Sequence, residues 1–265
     1  MGNKVCAKNL MRPKTQHRKT MTCFALLLLL GGRLGHAESV TVAVATNFLI
    51  ASHDLKDSFQ LGRSHEVVLV SGSTGQLYAQ IINGAPFDIF LSADQKTATL
   101  LVKSGFADSS SQFTYARGQL VLWKNNLDVR TVATLKELKE GRFRYLSIAN
   151  PRIAPYGLAA RQTLTALGIW SQLQERIVLA ENISQAFAWV QTGNADLGLV
   201  AFSQVMSYKT HRNFIVIPSA LYDPILQDAI LLMRGTNNPA AIAFYNYLRS
   251  ENASGIIKKH GYLKD

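Results

Sequence analysis

At 265 residues the chain has enough material for one large or two moderate domains with a sizeable core, and its 48% hydrophobic and 17% charged residues are those of a globular protein. The formal net charge of +11 suggests a nucleic-acid partner until its distribution is read. Residues 1–37 hold seven of the 28 basic residues and no acid, so the remainder carries 21 bases against 17 acids, about +4, with no basic cluster interleaved with aromatics, which argues against a nucleic-acid role.

The basic start, the apolar run Cys23–Leu30 and the small-residue site Gly35-His36-Ala37 together read as a secretory signal peptide over residues 1–37, with cleavage after Ala37 and Met11 or Met21 as further candidate starts. The apolar run is far short of the roughly 20 residues a membrane span needs. Both cysteines, Cys6 and Cys23, fall in this leader. The exported chain therefore has no disulfide, no zinc–thiolate site and no cysteine nucleophile, and a periplasmic location is expected.

Beyond the leader, Ser39–Ala45 predicts a buried first strand. Thr46-Asn47 ends it, and the apolar spacing of Phe48, Ala51, Leu55 and Phe59 predicts a helix with Asn47 as N-cap. Val67–Val70 is a second strand. The polar turn Ser71-Gly72-Ser73-Thr74-Gly75 then opens a helix, with Ser73 and Gln76 at capping-box spacing. This turn matches neither a Walker phosphate loop, since no Gly-Lys-Ser/Thr follows, nor a nucleophile elbow, since Gly72 and Gly75 are wrongly spaced around Ser73. Asp88–Leu91 is a third strand, with Asp88 in a structural role, and a helix follows from Gln95 to a Gly105 stop.

Tyr115–Trp123 reads as one strand-like run into a second neighbourhood. A short helix follows at Thr134–Leu138 and a strand at Tyr145–Ala149. The rigid loop Asn150–Gly157 opens helix 158–167, with Tyr156 restrained between Pro155 and Gly157 and poorly placed to join a core. Ile177–Leu179, a helix capped by Asn182, and the strand Leu197–Phe202 come next. Strands Phe214–Ile217 and Ala229–Met233 flank a turn at Asp223-Pro224, and the C-terminal part is helical.

Alternating strands and helices predict an α/β protein of mainly parallel sheets flanked by helices. Two lobes are expected, 38–118 plus 226–265 and 119–225, with the chain crossing near Gln119. Four strand-to-helix junctions share one character: Thr46-Asn47, Ser71–Thr74, Ala154–Gly157 and Asn182–Ser184. Facing one another across a cleft, they would offer hydroxyls, N–H groups and positive dipole ends to an anion. Arg152 is the nearest cation and reads as solvated. His53, His65, His211 and His260 lack metal-ligand spacing, and Trp123, Trp170 and Trp189 read as core rather than as a sugar platform.

The order of elements, the segment GAPFDIFLSADQ (Gly84–Gln95), the NPRIAPYG loop and the AENI…GNADLGLV pattern resemble the periplasmic molybdate-binding proteins of ABC transporters. The resemblance covers nearly all the chain after the leader. It implies a type II two-lobed periplasmic-binding fold that closes on molybdate or tungstate without covalent chemistry, cofactor or bare metal cation, acting as a monomer with an inner-membrane ABC permease. Carried over by position, the ligand residues are Thr46 with Asn47 beside it, Ser73 within the Ser71–Thr74 group of hydroxyls, Tyr156, and the backbone donor Ile183. The first loop has Thr-Asn where some relatives have Ser-Leu, and Ala201 stands where some members place a Tyr. The alternatives are another tetrahedral oxyanion such as sulfate or, in a different class, a secreted serine hydrolase using Ser73. Protonated phosphate would need an acceptor that none of the four loops supplies.

Overall fold

The computed structural model describes residues 38–125, 133–208 and 213–263. The leader with its two cysteines, and His211, lie outside the described residues. The first part of the chain forms β1 (Ser39–Ala45), α1 (Leu49–Gln60), β2 (Glu66–Gly72), α2 (Thr74–Ile82), β3 (Ile89–Leu91), α3 (Gln95–Lys103) and β4 (Phe113–Gly118). The middle forms β5 (Leu120–Trp123), α4 (Leu135–Glu140), β6 (Leu146–Ala149), α5 (Pro155–Ala166), β7 (Ile177–Ala180), α6 (Ile183–Gln191), β8 (Leu197–Ala201), α7 (Phe202–Ser207) and β9 (Phe214–Val216). The chain closes with β10 (Ile225–Leu231), α8 (Pro239–Leu248) and α9 (Glu251–Lys259).

The described strands make two five-stranded sheets, ordered β2-β1-β3-β10-β4 and β7-β6-β8-β5-β9. The two sheets repeat one plan. In each, a βαβαβ run places its first strand between its second and third, all parallel, and two antiparallel strands complete the edge. The sheets are thus mixed, with their parallel half where the helices cross over.

Burial explains the strand sequences. In β1, Val40, Val42 and Val44 pack with Phe48, Leu55, Phe59 and Phe244 on one face, while Ala43 packs with Leu77, Phe90 and Leu101 on the other. A strand covered on both faces reads as a continuous apolar run, as SVTVAVA does. The second sheet carries its own core, in which Leu122, Trp123, Leu146, Ile148, Leu164, Val190 and Leu199 are buried.

Two sequence readings of the elements are corrected. Tyr115–Trp123 is not one strand: β4 ends at Gly118 in the first sheet and β5 begins at Leu120 in the second, so the run is broken at Gln119 by the change of sheet. The strand read at Ala229–Met233 starts four residues earlier, at Ile225, because pairing with β4 extends it through the polar pair Gln227-Asp228. The short helix α7 was not foreseen, since Phe202–Ser207 carries no strong period.

Candidate functional site

The shared plan of the two sheets gathers helix starts at one place. In each sheet the order reverses beside its first strand, and at such a switch point the following helices begin at the carboxyl ends of the strands. The chain after β1, and the first turns of α2, α5 and α6, meet there around one small cavity. Its lining is Ala45, Thr46, Asn47, Ser73, Thr74 and Ala93 from the first sheet's side and Ala154, Pro155, Tyr156 and Ile183 from the second's. All five residues singled out in the sequence, Thr46, Asn47, Ser73, Tyr156 and Ile183, stand on it. Of the flanking hydroxyls, Thr74 lines it as well, and Ser71 does not. No charged side chain and no histidine is in the lining, and Arg152 is exposed in a neighbouring groove.

Each wall is built differently. Ser73 caps α2 in a full capping box: its Oγ accepts from Gln76 N at 3.3 Å, and its own N–H donates to Gln76 Oε1 at 3.0 Å. That leaves the Ser73 hydroxyl proton without an acceptor among the described residues. Thr74 Oγ1 likewise accepts from Ala93 N at 3.2 Å. Ile183 opens α6, whose cap Asn182 accepts from Gln185 N at 3.0 Å, away from the first N–H groups of the helix. Gln185 closes back on Glu181 N rather than on Asn182.

Asn47 is not an N-cap. Residues Thr46–Phe48 form a 3-10 turn before α1, and no side chain caps either. The Asn47 amide turns inward instead, where Nδ2 donates to Gln227 Oε1 at 2.8 Å and to Tyr262 Oη at 3.2 Å. Both amide protons are thereby used inside the protein, which leaves the Asn47 side-chain N–H groups unavailable to a ligand. Thr46 Oγ1 has no partner among the described residues.

Tyr156 also departs from expectation. Helix α5 starts at Pro155, not at 158, because Pro suits the first helical position, and Tyr156 sits in its first turn only 2% exposed. Its phenolic oxygen accepts from Gln227 Nε2 at 3.3 Å. Burial, then repulsion from Tyr262 and Tyr222 once ionised, pushes the phenol well above its ordinary 10.0, so it remains a neutral O–H donor at physiological pH. The fit is tight, since a Cβ on Gly118 would collide with this oxygen and come within 2.8 Å of Gln227 Nε2.

The walls also touch each other. Gly75 N donates to Ile153 O at 2.9 Å, Ser184 Oγ to Thr46 O at 3.3 Å, and Ser203 Oγ to Asn47 O at 3.1 Å, so the cleft is closed over the cavity. The sequence reading missed Gln227, Tyr262 and Ser203. The available signal was a polar pair, Gln227-Asp228, inside the apolar strand ILQDAIL.

A pair of like sheets closing on a cavity of uncharged donors defines a two-lobed binding protein for a small anionic solute. The chain belongs to the bacterial extracellular solute-binding protein family, which it matches over residues 40–263, and within it to the group of the molybdate-binding proteins. It is 43% identical over 248 residues to the molybdate-binding protein ModA of Azotobacter vinelandii, covering 89% of this chain and 96% of that one. The ModA of Rhodobacter capsulatus is 39% identical over 242 residues, covering 91% and 95%. Among solved structures, the periplasmic molybdate-binding protein of Azotobacter vinelandii superposes with a TM-score of 0.80 at 40% identity, over 85% of this chain and 99% of that one.

Proposed function

We propose that the protein is a periplasmic binding protein that captures molybdate, or tungstate, and hands it to an inner-membrane ABC permease, working as a monomer. One observation carries the reading: the cavity lining holds four hydroxyl-bearing residues, Thr46, Ser73, Thr74 and Tyr156, beside helix starts, with no charged side chain among its lining residues. A tetrahedral dianion entering it exchanges its water shell for fixed donors, each hydrogen bond to the charge being worth about 1.5–3 kcal/mol. The helix starts add favourable dipole ends.

Thr46, Ser73 and Tyr156 supply O–H donors in this reading, Asn47 and Ile183 supply backbone N–H, and Thr74 joins Ser73. The contacts of Gly75 with Ile153 and of Ser184 with Thr46 hold the lobes together over the ligand. A serine hydrolase would need a base beside Ser73, and the cavity lining contains no histidine or carboxylate. Among the described residues no helix is long and apolar enough to cross a membrane.

Titration calorimetry of the leaderless protein with molybdate, tungstate, sulfate and phosphate tests the reading. Molybdate and tungstate are expected to bind with similar, high affinity, sulfate more weakly and phosphate least. Sulfate binding as tightly as molybdate would move the assignment to a general oxyanion carrier, and no binding of any of the four would end it.

A further inference from the structure

Behind the cavity wall lies a cluster of five buried polar side chains, each at most 5% exposed: Asn47, Tyr115, Tyr156, Gln227 and Tyr262. Gln227 is fully buried at the register shift of β10, where a bulge turns a side chain out of the regular alternation. Its Oε1 accepts from Asn47 Nδ2 at 2.8 Å and Tyr115 Oη at 3.1 Å, and its Nε2 reaches Tyr156 Oη.

The proton directions in this cluster follow from one fixed point. The backbone carbonyl of Asn47 can only accept, and Tyr262 Oη lies 2.6 Å from it, a separation of two oxygens that requires a proton between them. Tyr262 therefore donates there, and its oxygen accepts from the Asn47 side chain, which sets Nδ2 on that side. The same Nδ2 faces Gln227, so the Gln227 oxygen is turned toward Asn47 and its NH₂ toward Tyr156. Tyr156 must then accept from Gln227, and its own proton is left for the cavity.

We propose that Gln227 is the positioning residue that aims the Tyr156 proton into the cavity, and that it thereby contributes to discrimination against oxyanions that carry a proton. Ser73 and Thr74 are held the same way, their oxygens accepting from Gln76 N and Ala93 N. Three cavity hydroxyls thus have a protein N–H on the oxygen and a proton free for the ligand. At these three positions a solute bearing its own O–H meets a donor where it needs an acceptor, and a fully deprotonated dianion does not.

This inference rests on the oxyanion reading above, and the test separates the two. Calorimetry with molybdate and with phosphate at pH 8 is run on the wild-type chain, Tyr156→Phe, Gln227→Met and the double variant, with melting of each ligand-free protein. Gln227→Met is expected to weaken molybdate about tenfold and to narrow the molybdate-to-phosphate ratio. In the Tyr156→Phe background it should add less than twofold, because no phenol is left to aim. Equal losses in both backgrounds, or no loss beside intact Tyr156, would overturn the role of Gln227. Failure of the wild type to bind molybdate would instead overturn the oxyanion reading. Gln227→Asn, which keeps an amide too short to reach Tyr156, should give the same pattern and serves if the Met variant does not fold.

Discussion

The starts of α2 and α5 face each other across the cavity and are made by opposite means. Helix α2 is started by its own sequence: Ser73 and Gln76 satisfy each other's N–H groups within four residues. Helix α5 has no side-chain cap at Ala154, and its first turn is held from outside the helix, by Gln227 from 71 residues away on the Tyr156 phenol and by the end of β6 against Gly157. One binding wall is therefore local and separable from the rest of the fold, while the other is set by tertiary contacts. Substitutions on the α2 side should cost at most the local cap in stability, and those on the α5 side should disturb contacts beyond their own helix.

The largest expected break in that contrast is Gly157→Ala. Its Cβ would collide with Ala149 O and come within 2.9 Å of Asn150 C, backbone that cannot swing away. A loss of about 3 kcal/mol in stability is expected, read by denaturant unfolding of the ligand-free protein. Tyr156→Phe comes next. It should weaken molybdate by about 1.5–3 kcal/mol and, because Gln227 Nε2 is left buried without its acceptor, lower stability by about 1–3 kcal/mol. An unchanged melting temperature would mean that this tyrosine is not tied to Gln227.

On the α2 side, Ser73→Ala is expected to cost about 1.5–3 kcal/mol of binding and about 1 kcal/mol of stability from the lost cap. Loss of stability with binding intact would leave Ser73 as a cap alone. Gly75→Ala should be milder and affect binding only. Its Cβ would press on Ile153 of the opposite wall at 3.0 Å, so closure suffers while α2 itself tolerates alanine. About 1 kcal/mol of molybdate affinity should be lost, with the ligand-free melting temperature held or raised.

The smallest effect is on pH dependence. Burial raises the phenols of Tyr115, Tyr156 and Tyr262 above their ordinary 10.0. A group whose folded pKa is raised contributes stability that is complete below its unfolded pKa and is lost as pH climbs toward the folded value. Melting temperature should thus be level between about pH 7 and 9 and fall above about 10, less steeply in Tyr262→Phe.

The contrast between the two helix starts also marks what was legible. The Ser73–Gln76 box, the Asn182 cap and the Gly105 stop act over three or four residues, and each stands in the structure where the spacing put it. Asn47 was misread as a cap because its sequence neighbours suit one. Its partners, Gln227 and Tyr262, are 180 and 215 residues away, and local pattern carries no trace of them.

By itself, then, the sequence determined most of the strands and helices, the α/β class, the uncharged character of the four junctions and a family resemblance written into its loops. Those are properties of short segments, fixed by periodicity, capping and turn chemistry. Tertiary structure alone decided that the four junctions share one cavity, that Tyr156 is buried rather than loop-borne, and that Gln227 orients it. Such facts depend on strand order and on hydrogen bonds between residues far apart in the chain, which exist only once both sheets have formed and closed upon each other.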